Sequence, residues 1–292
     1  SQYPDLQQII ILVSSADEGD SDLTVDAVYI PAKGEQNNCL VVISGTHGIE
    51  GVFGTASQLM LMEKILNNEV DLTNTGVLLV HAYNPWGYKH EVRPMEGGVD
   101  GNRNNLYDGT TYQALQNETY ARVNDFINPK GTFSVTAAWR QHFLFKAIGK
   151  LWSYGSEFFP WNRISNGKRI LTQAIMQGQS RFPGGISYAG TDRATQLQPL
   201  TDLFSQSTAP YQNLLVLDLH TGLGEEGKVH WISLNEHLTP EQRGQLRAMV
   251  GDVVFIDENK DEFYPVNGDI MGYLCAQKKG DQTCFGVGPE AG

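Results

Sequence analysis

The sequence predicts an α/β fold built on a mixed, mainly parallel sheet sandwiched by helices. Three runs carry this reading: "CLVVIS" at 39–44, "GVLLVHAY" at 76–83 and "LLVLDLH" at 214–220. Each is a nearly continuous series of β-branched residues and leucines, which suits a strand covered on both faces. Between the first two lies "GVFGTASQLMLMEKILNN", where Val52, Ala56, Leu59, Met60 and Leu66 fall close to helical spacing.

The remaining elements follow from the same rules. "LTVDAVYI" at 23–30 alternates polar and apolar residues and reads as a half-buried edge strand. "GDVVFIDE" at 251–258 is a further strand candidate, and 133–152 reads as a helix. The stretches 97–118 and 153–195 are rich in Gly, Asn, Gln and Tyr and read as long ordered loops around a site. No repeat, low-complexity tract or linker divides the chain, so residues 1–292 read as one domain. At 40% hydrophobic residues it can bury a sizeable core.

Charge narrows the partners. The formal net charge of −12 repels phosphate backbones and anionic headgroups, which argues against nucleic acid and against a membrane surface. No apolar stretch reaches the ~18 residues that would span a bilayer. The opening residues lack the charged and small-residue pattern of a secretory signal. Three cysteines with no CxxC pair favour a cytoplasmic location. Cys275 and Cys284 are close enough in sequence to pair, but each reads as a free buried thiol, like Cys39. Composition sets no oligomeric state.

The chemistry gathers at strand ends. In open α/β sheets, ligands bind outside the carboxyl ends of the strands. "SGTHGIEG", at 44–51, follows "CLVVI" and delivers His47 and Glu50 to that edge, with Gly45, Gly48 and Gly51 permitting a tight turn. His220 ends "LLVLDLH" in the same way and is followed by "TGLG". Two histidines and a glutamate with an open fourth position form a catalytic zinc site. The loop "NPWGYKHEVRPMEGGVDGNRNN", at 84–105, adds Arg93, Glu96, Asp100, Asn102 and Arg103. A guanidinium beside an amide suits a carboxylate, and a separate arginine can stabilise an oxyanion.

These motifs, with "GQSRFPGGISYAG" and "LDLHTGLG", make the sequence resemble the zinc carboxypeptidase family and its aspartoacylase and succinylglutamate desuccinylase relatives. The resemblance is closest to a little-characterised bacterial branch (DUF2817-like). It implies a zinc-carboxypeptidase-like fold in which His47, Glu50 and His220 hold one Zn2+ and Asp100 orients His47. It further implies that Arg93 polarises the scissile carbonyl, and that Asn102 and Arg103 hold a substrate carboxylate. Glu290 matches the family's general base, 70 positions after His220 and behind a mostly apolar run. Pro289 departs from the pattern, since it cannot donate to a sheet ladder and implies an edge or a strand end. Relatives commonly continue beyond this point, which implies a C-terminally truncated or naturally short form.

The implied activity is zinc-dependent hydrolysis of an amide bond in a small peptide or N-acyl amino acid. A carboxypeptidase and an N-acyl amino acid deacylase would share this machinery. A non-catalytic metal- or peptide-binding module is the alternative from another class. Other residues take plainer roles. His81 reads as a core histidine, and His90, His142, His230 and His237 as surface or packing residues. Asp218 is in phase with His220 and is equally suited to the site or to a backbone contact. Tyr188, Tyr264 and Tyr273 are candidates for a substrate-contacting phenol, with core packing as their default. Glu96 is expected to pair with Arg93.

Overall fold

Four parallel strands converge on one edge, and their order places the chemistry. The computed structural model describes residues 5–16, 18–128, 170–222, 224–234, 238–256 and 266–292. The strands are β1 (Gln7–Leu12), β2 (Thr24–Ile30), β3 (Asn38–Ser44), β4 (Thr75–His81), β5 (Asn213–Thr221), β6 (Val229–Ser233), β7 (Val253–Phe255) and β8 (Thr283–Ala291). They form one eight-stranded sheet in the order β1-β2-β4-β3-β5-β8-β6-β7. Strands β4, β3, β5 and β8 run parallel, so their carboxyl ends share one edge. β6 is antiparallel to β8, which brings its first residues to that same edge.

The sheet is buried on both faces, as its apolar runs require. On one face Val41, Ile43, Leu78, Val80, Leu214 and Val216 pack with Phe204 of α4 (Leu197–Thr208) and with Ile270 and Leu274 of α6 (Ile270–Ala276). On the other, Val42, Val77, Leu79 and Leu219 pack with α1 (Gly51–Leu66). Each fully buried aliphatic side chain stabilises the fold by about 1.5–3 kcal/mol. The expected helix at 133–152 lies outside the described residues.

Three expectations are corrected. "LTVDAVYI" is not an edge strand: β1 covers one side of β2 and β4 the other, and β1, an unpredicted strand, is the edge. Helix α1 is present, but the residues that revealed its period face outward, with Val52 69% and Leu59 59% exposed. Its sheet side uses Gly54, Gln58 and Ile65. Gly54 is needed there because a Cβ would fall 2.3 Å from Ser44 Cβ, and Gln58 Nε2 donates to the carbonyls of Val42 and Val80. Cys275 and Cys284 form a disulfide, with Cα atoms 5.4 Å apart, because α6 packs directly on β8.

Of the two settings expected for Pro289, the strand end holds, since β8 stops two residues later at Ala291, and the edge does not. β8 is internal, flanked by β5 and β6. The β5–β8 register runs from Asn213↔Thr283 to Leu217↔Val287, skips two pairs, and resumes at His220↔Glu290. The strand thus accommodates a residue that cannot donate, without losing the pairing beyond it.

Candidate metal centre and active site

The turn after β3 is shaped by close backbone contact. Gly45 has φ +66°, and a Cβ on Gly48 would lie 2.0 Å from the carbonyl carbon of Gly87. The α2 segment (Pro85–Lys89) therefore packs directly on the turn. Gly48 and Ile49 donate their N–H groups to the carbonyls of Arg93 and Val92. So held, His47 and Glu50 point inward and are buried, as is His220 at the end of β5.

The three side chains meet. His47 Nδ1 lies 2.9 Å from Glu50 Oε1, and His220 Nδ1 lies 3.0 Å from Glu50 Oε2. The two imidazole centroids are 4.9 Å apart. A ligand atom from each residue falls within 4.8 Å of the others, a group able to hold a metal ion. A tetrahedral ion with bonds of about 2.0–2.1 Å would set its ligand atoms about 3.3 Å apart, so these residues fit zinc. His47 Nδ1 supports that fit independently. It is enclosed and, despite its nearness to Glu50, is not aligned for a hydrogen bond.

Each imidazole is oriented from behind. His47 Nε2 donates to Asp100 Oδ1 at 3.1 Å, and Asp100 also accepts from the Asn102 backbone N–H at 2.9 Å. His220 Nε2 donates to Asp218 Oδ2 at 2.7 Å, while Thr46 Oγ1 donates to Asp218 Oδ1 at 2.7 Å. A proton held on Nε2 leaves each Nδ1 lone pair facing the shared space. Asp218 thus belongs to the site rather than to a backbone group. The signal in sequence was the D-x-H spacing, which puts both side chains on one strand face.

Electrostatics follow from this crowding. Burial raises the Glu50 carboxyl, but the imidazoles of His220 and His47 beside it outweigh that and hold the group below the usual carboxylate range. Burial opposes the charge on His220, yet Asp218 and Glu50 hold its pKa well above the ordinary histidine value. Asp100 is buried too, and His47, Arg103 and Arg93 keep it ionised.

The remaining predicted residues divide. Arg93, with its side chain 47% exposed, donates to Glu50 Oε1 at 3.1 Å and to Asp100 Oδ2 at 3.4 Å. Its expected partner Glu96 instead accepts from the Ala16 N–H, because the chain leading into β2 reaches that carboxylate first. Asn102 sits beside the triad, with Nδ2 3.4 Å from His220 Nε2, and its Oδ1 accepts from Ile270 N–H at the start of α6. Arg103 is only 4% exposed; its Nη1 donates to the Asn102 carbonyl and its Nε has no hydrogen-bond partner. Buried Asp269, pushed up to about 6 by desolvation, lies in the same region and was missed in the sequence. Glu290 pairs in register with His220 on β8, and burial raises its carboxyl.

The bland assignments also resolve. His81 bonds to Ser44 Oγ at 2.7 Å and Thr55 Oγ1 at 3.1 Å, as a satisfied interior histidine. His90 bonds to Asp20 near the surface. Tyr188 and Tyr273 are buried, and the Tyr273 hydroxyl accepts from Thr201. Tyr264, His142 and His237 lie outside the described residues. A cavity of about 580 Å³ lies behind α6, lined by Tyr107, Gly268, Cys275 and Cys284; the metal-ligand group is elsewhere.

An eight-stranded mixed sheet with this strand order and a His-Glu-His group at its carboxyl edge defines a metallocarboxypeptidase-like fold. Carboxypeptidase A from Helicoverpa armigera shares the fold, at 12% identity and a TM-score of 0.50 over 99% of this chain and 60% of that one. Succinylglutamate desuccinylase from Chromobacterium violaceum matches at 15% identity, TM-score 0.43, over 95% of this chain and 62% of that one. The chain spans less than two thirds of the length of either. No curated protein matches the sequence. The sequence pattern of the family described as "Protein of unknown function (DUF2817)" matches residues 10–290, and the chain belongs to that family.

Asp218 gives the site a direct test. Asp218→Asn keeps the shape but removes the negative charge that accepts the His220 proton. Metal affinity, measured by chelator competition, should fall about 10–100-fold, the usual cost of losing such a partner. An unchanged affinity would reduce Asp218 to a structural anchor for Thr46.

Proposed function

We propose that this chain is a zinc-dependent hydrolase of amide bonds, of carboxypeptidase type, acting on substrates with a free carboxylate. The observation that carries the reading is the convergence of His47, Glu50 and His220, with one enclosed and unpartnered imidazole nitrogen, beside Glu290 on the next strand. When bound, zinc would lower the pKa of water and polarise a carbonyl oxygen. Glu290 accepts the proton of the attacking water and returns it to the leaving amine; burial, by raising its carboxyl, makes it a stronger base for that purpose. Arg93, tied on one side to Glu50 and Asp100, offers its exposed side to the scissile carbonyl oxygen.

Asn102 and Arg103 bind and orient the substrate carboxylate. Asn102 Nδ2 is the nearer donor, and the guanidinium behind it supplies the charge. Among the described residues no helix is long and apolar enough to cross a membrane. The Cys275–Cys284 disulfide removes the cysteine argument for a reducing cytoplasm.

The carboxylate clamp is tested from both partners. Arg103→Lys keeps the charge but loses the planar fork, and should lower kcat/KM about 10–100-fold, the range for a lost charge-assisted hydrogen bond. Amidating the substrate carboxylate should cost as much in the unaltered enzyme. Equal processing of amidated and free substrates would remove the clamp and favour an endopeptidase.

A further inference from the structure

The site face of the sheet carries one more imidazole than the zinc hydrolase reading uses. Glu290 on β8 pairs with His220 on β5 and, on its other side, with His230 on β6. Residues directly opposite in neighbouring strands project to the same face, with Cβ atoms about 4.5–5.5 Å apart. His220, Glu290 and His230 therefore form a row across three strands, at the edge where the metal ligands gather. Their neighbours agree: Trp231 and Val287 pack together on the opposite face of the sheet.

The ring of His230 is held in a set orientation. Its Nε2 accepts the Glu225 N–H at 3.1 Å, so the ring proton resides on Nδ1. Gly224, at φ +114°, passes so close that a Cβ there would lie 2.2 Å from His230 Cδ2. The loop therefore covers the Cδ2–Nε2 edge of the ring and leaves the Nδ1 edge facing away from it. His230 is half-buried, and Nδ1 has no hydrogen-bond partner among the described residues. The loop is itself anchored, since Gly222 N–H donates to the Ala291 carbonyl and Gly227 N–H to the Gly292 carbonyl. A donor fixed in direction beside the proposed base is built to meet something outside the protein.

We propose that His230 is a substrate-contacting residue whose Nδ1–H donates to a carbonyl in the acyl portion of the substrate, on the far side of Glu290 from the carboxylate clamp. This rests on the zinc hydrolase reading. Asn102 adjoins His220 on β5, Glu290 lies on the middle strand, and His230 lies one strand beyond. A substrate with its carboxylate at Asn102 and Arg103 and its scissile bond at Glu290 extends its acyl portion toward His230. The favoured substrate class is therefore an acylated dipeptide or longer peptide, which offers an amide carbonyl there, over a simple N-acyl amino acid.

The test uses zinc-loaded protein and two substrates that differ only at the amide that carries that carbonyl. A benzoylglycyl amino acid carries it, whereas the 4-phenylbutanoyl derivative of the same amino acid replaces the amide by methylenes. His230→Phe should lower kcat/KM for the benzoylglycyl substrate about tenfold, as expected for one lost hydrogen bond, and leave the phenylbutanoyl substrate unchanged. His230→Gln, which keeps a donor, should restore part of the loss. Equal losses on both substrates would make His230 a loop anchor and overturn the proposal, as would no loss on either. If the unaltered protein cleaves neither these two substrates nor a broad panel of peptides and acyl amino acids, the hydrolase reading fails. Benzoylglycine titrated into the zinc-loaded protein, with the His230 imidazole ¹⁵N signals as readout, then decides on His230 alone. A shift at Nδ1 is expected, and its absence overturns the contact.

Discussion

Replacing either His47 or His220 by alanine should leave the protein unable to retain metal, while the unaltered chain holds about one divalent ion in its main site. The reason is geometric. Glu50 Oε1 faces His47 and Oε2 faces His220, so each histidine closes one side of the group. Removing one leaves two protein ligands where a catalytic zinc site uses three. The loss also leaves Asp100 or Asp218, both buried, without the imidazole that it accepts from. Asp100 keeps Arg93 and the Asn102 N–H, and Asp218 keeps Thr46, but each loses one buried partner at a cost of about 1–3 kcal/mol, so both variants should also unfold at lower temperature. Elemental analysis after dialysis checks retention, and full occupancy in either variant would sink the assignment. The milder Asp218→Asn change should weaken binding without abolishing it.

Glu290→Gln should lower kcat by at least ~10²-fold while zinc retention and substrate binding persist, the pattern of a lost acid–base group. The amide is nearly isosteric, and Glu290 accepts no described hydrogen bond that the fold depends on, so the change should act on proton transfer alone. Glu225, the next carboxylate in reach of this edge, is exposed and bound to Lys228 Nζ at 2.6 Å. It is poorly placed to substitute. Wild-type turnover in the variant would move the base elsewhere. Normal zinc content without turnover in the unaltered protein, over a broad panel of peptides and acyl amino acids, would favour a non-catalytic module.

What the sequence disclosed, and what it withheld, follows one physical division. The buried parallel strands β3, β4 and β5 were legible because both faces need apolar residues and the runs are continuous. The strand-ending histidines were legible because glycine must follow where the backbone packs tightly, as Gly48 does against Gly87. β6 was not, since a strand near an edge carries a mixed pattern, whereas β1 is apolar over Ile9–Leu12 even though its edge position leaves Ile10 and Leu12 exposed. The outward stripe of α1 misleads because its inner face is made of Gly54, which allows close approach, and Gln58, which bonds to strand carbonyls. Neither looks apolar. The pairing of Arg93 with Glu50 and Asp100 rather than Glu96, like the Cys275–Cys284 bond, depends on which elements become neighbours, and sequence distance does not set that. His230 was hidden for the same reason: only strand register places it beside Glu290.

The register of the two central strands has a consequence for how the molecule comes together. β3 pairs with β5 from Asn38↔Asn213 to Ser44↔Leu219, so Glu50 and His220 meet only after some 170 intervening residues have been looped out. Closing so long a loop precedes any reward from the contacts that it permits, which makes this pairing a late event in folding. A ligand that grips His47 and His220 together therefore cannot form its site on a nascent amino-terminal half. It reports, by its mere retention, that β3 and β5 have paired, and it adds its binding energy to that pairing.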